Sequence, residues 1–225
     1  MSVNGYGLGR LHSPDARDHK YLLRTLTAPT RPLRTIHHPM FSKWLDQGAT
    51  GTCVGHGFRH LLTGYPQPMA HPAPSAFAIY DRAIQLDEWA DNDRDTARQF
   101  GTSVRAGAKV LQELGLISAY GWAFDLDTAL AWLSWHGPLV IGTNWYDSMF
   151  ERGRDGYLRI PPGARVAGGH CTLVVGIDVK RGAVRGLTSW RDWGYWWLSF
   201  EDFARLIRED GECCSPTETQ HRVTP

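Results

Sequence analysis

The feature that most constrains the fold is the order in which two kinds of hydrophobic pattern occur along the chain. Before Pro138 the apolar residues recur at helical spacing. Gly51–Leu62 reads as one helix closed by Gly64. Pro74 opens a second helix to about Ala90, with Phe77, Tyr80 and Ile84 on one face. Thr102 or Ser103 caps a third helix whose stripe is Val104, Leu111 and Leu114, and a fourth runs from about Asp127 to His136. After Pro138 come short β-branched or aromatic runs: PLVIGT, GYLRI, HCTLVVGIDV, GLTSW and YWWLSF. Ser199, followed by Glu201 and Asp202, then starts a last helix to about Arg208. Helices gathered in one half and strands in the other predict an α+β protein of two lobes with a cleft between them.

The chain of 225 residues fits one full domain or two small ones. Residues 1–40, rich in Pro, Arg and His, read as an extended N-terminal arm. Residues 41–210 read as the main domain, with a helical lobe over about 41–136 and a β lobe over about 137–210. Residues 211–225 read as a C-terminal tail, and Asp91–Gly101 as a charged loop. Hydrophobic residues at 42% supply a core, and a net charge of +1 without basic blocks argues against a nucleic-acid or membrane-surface partner. No apolar run reaches membrane-spanning length, and the first residues carry no signal-peptide pattern. Four cysteines, two of them adjacent (Cys213 and Cys214), do not make a disulfide framework, so reduced thiols are expected.

Two segments carry the chemistry. Cys53 lies in the first turn of a predicted helix after Gln47-Gly48-Ala49-Thr50-Gly51-Thr52, where unsatisfied N–H groups and the helix dipole favour thiolate. Gln47 is placed to offer an amide to a developing oxyanion. A free cysteine is, as often, a small buried hydrophobe. The second segment is Gly168-Gly169-His170-Cys171, which puts a histidine at the mouth of an apolar strand, where a neutral imidazole accepts and returns a proton. Cys53, His56 and His60 also read as C-x2-H-x3-H, with Cys213, Cys214 and His221 as remote additions. That metal reading leaves Gln47 and His170 unused, so no metal and no cofactor is expected. His56 and His60 are expected at the helix surface or core edge. The aromatic cluster from Trp190 to Phe200 is read as packing rather than sugar stacking.

Together these segments resemble the papain-like (C1-type) cysteine peptidases. The resemblance rests on Gln47 six residues before Cys53, on Gly51-Thr52-Cys53, on His170 leading Leu173-Val174-Val175-Gly176, and on Thr188-Ser189-Trp190 ahead of Gly194-Tyr195. Gly101–Gly115 and Gly137–Val140 extend it over most of residues 41–205, and Ser13–Asp18 is similar to the leader of short bacterial and phage members. It implies a papain-like two-lobed fold and hydrolysis of peptide amides through a Cys–His thioester acyl-enzyme. Cys53 would be the nucleophile, His170 the base and acid, and Gln47 the oxyanion donor. The family's Asn falls at Thr188, and Thr188 or Ser189 remains to accept a hydrogen bond from the imidazole. Val54 stands where an aromatic residue is usual, and Thr50 where a bridging cysteine is common. The expected partner is a peptide or protein substrate, with association to a virion or host protein and a cytoplasmic or virion-associated location. No long inhibitory propeptide is expected. The alternative is a papain-fold protein with weak or no turnover that serves as a binding or structural virion component.

Overall fold

The computed structural model describes residues 2–3, 5–27, 31–40, 44–64, 73–87, 100–191 and 193–219. The expected charged loop lies largely outside them. Three helices come first: α1 (Cys53–Leu61), α2 (Ala76–Leu86) and α3 (Val104–Glu113). Two more, α4 (Leu126–Trp135) and α5 (Phe200–Arg208), lie on the far side of the sheet. The starts of α2 to α5 are fixed by the Ncap side chains Ser75, Ser103, Asp125 and Ser199, each accepting a backbone N–H in the first turn. The α1 start is built differently: Thr52 makes no such bond. None of the described helices is long and apolar enough to cross a membrane.

The seven-stranded sheet contains β3 (Ile36–His37), β4 (Ile117–Ala123), β5 (Leu139–Tyr146), β6 (Val166–Asp178), β7 (Ala183–Leu187), β8 (Tyr195–Ser199) and β9 (Glu212–Thr219). All its pairings are antiparallel, in the order β4-β9-β5-β6-β7-β8, with β3 also pairing β6. A small separate hairpin joins β1 (Ser2–Val3) to β2 (Tyr6–Gly7).

The central strand β6 serves two cores because successive side chains leave opposite faces. Cys171, Leu173 and Val175 pack with Cys53, Val54, Phe58 and Leu111 from the helices. Val174 joins Trp145, Trp190, Trp196, Leu133 and Phe203 in the second core. A register shift between Val174 and Gly176 then returns Ile177 to that second side.

Several sequence expectations are corrected. Residues 211–225 do not begin as a tail: 212–219 form β9, inserted between β4 and β5. On that strand Cys213 and Cys214 are neighbours facing opposite cores, and both are fully buried. Residues 1–40 are more than an arm, since β3 enters the sheet and Leu8, Arg10, Leu23 and His38 are buried. His56 and His60 are buried rather than superficial, and Leu114 is exposed. The GYLRI run keeps only an isolated bridge, Tyr157 to Trp197, while ISAYGWA forms β4.

Candidate active site

Cys53 begins α1, and its side chain has no contact with solvent. The Thr52 hydroxyl, which a capping residue would turn to the helix, instead bonds the Thr50 hydroxyl at 2.7 Å and Nδ1 of His56 at 3.3 Å. The leading N–H groups of α1 are therefore left for the sulfur. Burial pushes the Cys53 thiol up to about 11. The backbone N–H groups of Cys171, Gly9, Val54 and Cys53 itself pull it the other way. Cys171, which follows His170 directly, packs with Cys53 in one core.

His170 is equally buried and is held by side chains. Its Nε2 lies 2.7 Å from Thr188 Oγ1. The Trp190 ring stacks on the imidazole with centroids 4.4 Å apart and planes 9° from parallel. Trp145 meets it edge-on at 4.8 Å. Nδ1 makes no hydrogen bond, to Cys53 or to any other group. Burial, with a smaller contribution from His56, pushes the imidazole down to about 3, so it is neutral. With the Nε2 proton donated to Thr188, Nδ1 carries the free lone pair of a base.

Of the two candidate hydroxyls, that of Thr188 meets His170, and that of Ser189 donates to Oε1 of Gln47. The Gln47 N–H also bonds the Ser189 carbonyl at 2.8 Å. These bonds orient the Gln47 amide so that Nε2 donates to Thr50 O at 2.7 Å and to Gly7 O at 3.0 Å.

That second acceptor belongs to a segment threaded through the cleft. Gly7 N–H donates to Gly48 O at 2.9 Å, and both Gly9 and Arg10 N–H groups donate to Gly169 O at 3.0 Å. Thr102 N–H donates to Gly9 O at 2.9 Å, and Leu11 N–H to Thr102 O at 3.0 Å. The fit is set by missing side chains. A Cβ on Gly7 would come 1.9 Å from Thr50 O, and one on Gly9 would come 1.9 Å from Gly51 O. Tyr6 continues the cover, with its ring 4.7 Å from that of Trp190. The Gly7 and Gly9 carbonyls of the segment point to Gln47 and Thr102.

All four anticipated site residues, Gln47, Cys53, His170 and Thr188, are buried; Thr188 meets His170, and its neighbour Ser189 meets Gln47. Sequence reasoning missed Trp145, Gly7, Gly9 and Arg10; the alternating glycines at 5, 7 and 9 were the one signal. Among the described residues, no three His, Cys, Asp or Glu side chains gather to hold a metal ion. His56 turns Nδ1 to Thr52 O at 2.9 Å.

No protein-family model matches the sequence, and no curated protein matches it. Solved structures do. Xylellain, a cysteine protease from Xylella fastidiosa, matches over 98% of both chains with a TM-score of 0.68 at 18% identity. The fold is papain-like. Procathepsin L2 proteinase from Tenebrio molitor larval midgut has a TM-score of 0.65 at 15% identity, over 95% of this chain and 78% of that one. Procathepsin B S9 from Trypanosoma congolense has a TM-score of 0.58 at 10% identity, over 95% of this chain and 83% of that one. At these identities the likeness is one of fold: a papain-like helical region followed by a multi-stranded sheet.

Proposed function

We propose that the protein is a cysteine peptidase whose resting form is closed by its own residues 6–11. The observation that carries this reading is the His170 arrangement. Nε2 is on Thr188, the ring lies under Trp190, and Nδ1 is free.

In the reaction, the Cys53 thiol gives its proton to Nδ1 of His170 and the sulfur attacks the peptide carbonyl carbon. The Gln47 amide and the Cys53 N–H stabilise the oxyanion. His170 then protonates the departing amine, leaving a thioester that water hydrolyses with His170 as base. In the closed form both groups are neutral, the thiol raised and the imidazole lowered by the same burial. Withdrawal of the segment admits water, which returns both toward their ordinary values and makes the proton transfer accessible.

The test is hydrolysis of fluorogenic peptides by a Gly9→Ala chain, in which the segment no longer fits, against Gly9→Ala/Cys53→Ala. Turnover in the first and none in the second is expected. Equal hydrolysis by both would refute the role of Cys53, and none by either would favour a papain-fold protein that binds without turnover.

A further inference from the structure

The Cys171 thiol has no part in the reaction above, yet its sulfur lies against the helix that Cys53 begins. A Cβ on Gly57 of α1 would come 3.0 Å from Cys171 Sγ, so the sulfur fills a notch that glycine leaves open. Glycine is a poor residue for a helix interior, and here it makes room for a thiol. Gly57 follows Cys53 by one helical turn, and residues four apart share one helix face with Cβ positions about 5–6 Å from each other. The Cys171 sulfur thus sits on the face that carries Cys53, within a side chain's reach, and both belong to one core.

No other cysteine is in reach of Cys171. Cys213 and Cys214 lie on β9, which β5 separates from β6. Two strand spacings amount to about 10 Å, beyond the roughly 4.4–6.8 Å between Cα atoms that a disulfide spans. The two paired thiols also differ in character. Burial pushes the Cys171 thiol well up, and charge on Cys53 pushes it further. Cys53 has the N–H groups of a helix start to offset its burial, so it is the one that reacts first with an oxidant.

We propose that Cys53 and Cys171 form a redox pair that a peroxide closes into a disulfide, taking Cys53 reversibly out of action. The Cys53 thiolate attacks one peroxide oxygen and the O–O bond breaks, giving a sulfenic acid and water. The Cys171 sulfur then gives up its proton and attacks the Cys53 sulfur. The S–O bond breaks, and hydroxide leaves with that proton as water. Two thiols and one hydrogen peroxide become one disulfide and two waters, with two electrons passing from sulfur to oxygen. Without Cys171 the sulfenic acid persists, and a second peroxide carries it to a sulfinic acid that thiols do not reverse. The disulfide itself is independent of the peptidase reading; its effect on hydrolysis rests on that reading.

Full-length wild type and Gly9→Ala are treated with hydrogen peroxide, blocked with iodoacetamide after denaturation, and mapped by peptide mass. A link between the Cys53 and Cys171 peptides, removed by dithiothreitol, is expected as the main product in Gly9→Ala. This readout needs no change at either cysteine. In Gly9→Ala/Cys171→Ala the expected product is Cys53 sulfinic acid. Absence of the link from both chains, a link from Cys53 to Cys213 or Cys214 in its place, or equal yields of sulfinic acid with and without Cys171 overturns the proposal.

Hydrolysis of fluorogenic peptide is followed on the same Gly9→Ala samples. It should fall at least tenfold on oxidation and return with dithiothreitol. Hydrolysis without the link overturns the redox pair and leaves the peptidase reading standing. A link in a chain that shows no hydrolysis before oxidation overturns the peptidase reading and leaves the redox pair standing.

Discussion

Cys53 stands at the start of a helix whose Ncap side chain is turned away, so the groups around its sulfur are main-chain N–H donors. His170, on the facing strand, is gripped by side chains: Thr188 at one nitrogen, Trp190 across one face and Trp145 at the edge. One wall of the cleft thus positions its reactive atom through backbone that any sequence with this fold supplies. The other depends on particular residues, each of which can be removed. Substitutions around the histidine should act in graded steps. The cysteine wall should be sensitive chiefly to what covers it and to the charge state of groups buried beneath it.

The largest graded effect is expected at Trp190. Its ring is fully buried and packs against His170, Trp145, Phe150, Trp193 and Tyr6. Trp190→Ala should cost about 3–5 kcal/mol of stability in denaturant unfolding. A cost below about 1 kcal/mol would mean that the histidine wall does not rely on side-chain packing.

On the cysteine wall, His60 of α1 is buried, and desolvation pushes it down to about 3. An unfolded histidine titrates near 6.5, so between those values the unfolded chain binds the extra proton. The contribution of His60 to stability is then complete above pH 6.5 and is lost progressively as pH falls toward 3. At pH 5 the loss is about 2 kcal/mol for this one group. His60→Gln, which cannot titrate, should therefore gain on the wild type by about that amount between pH 7.5 and pH 5. Parallel stability–pH curves for the two proteins would show that burial of His60 is not the cause.

The smallest effect is expected at Thr188. Loss of its one hydrogen bond to His170 in a Gly9→Ala background should slow acylation by an activated ester about tenfold, and Thr188→Ser should restore it. Equal rates for wild-type Thr, Ala and Ser at this position would remove it from the orientation of the imidazole.

The same contrast explains which parts of the molecule were legible in sequence. Helices α1 to α5 carry apolar stripes and, for four of them, capping side chains, and the order Cys53, His170, Thr188, Trp190 follows from motif spacing. Strand β9 was hidden because ECCSPTET has no clean alternation and contains Pro216. That proline falls beyond the stretch 212–214 where β9 also pairs β5, so only β4 flanks it there. The cleft-filling segment was hidden for the opposite reason. Gly7 and Gly9 fit by what they lack, and the carboxylate that receives Arg10 is 202 residues away in sequence. No periodicity signals either contact.

The most direct test of a closed cysteine site is the rate at which iodoacetamide modifies each cysteine, located by peptide mass, in the wild type and in Gly9→Ala. Cys53, Cys171, Cys213 and Cys214 are all buried, so three of them serve as internal controls. A Cβ at residue 9 forces the segment off Gly51, and overpacking of about 1–3 kcal/mol corresponds to roughly 5- to 150-fold more of the open form. Cys53 alone should accelerate by that factor while the other three stay slow. Unchanged modification of Cys53 in Gly9→Ala, or equal acceleration of all four cysteines, would contradict it.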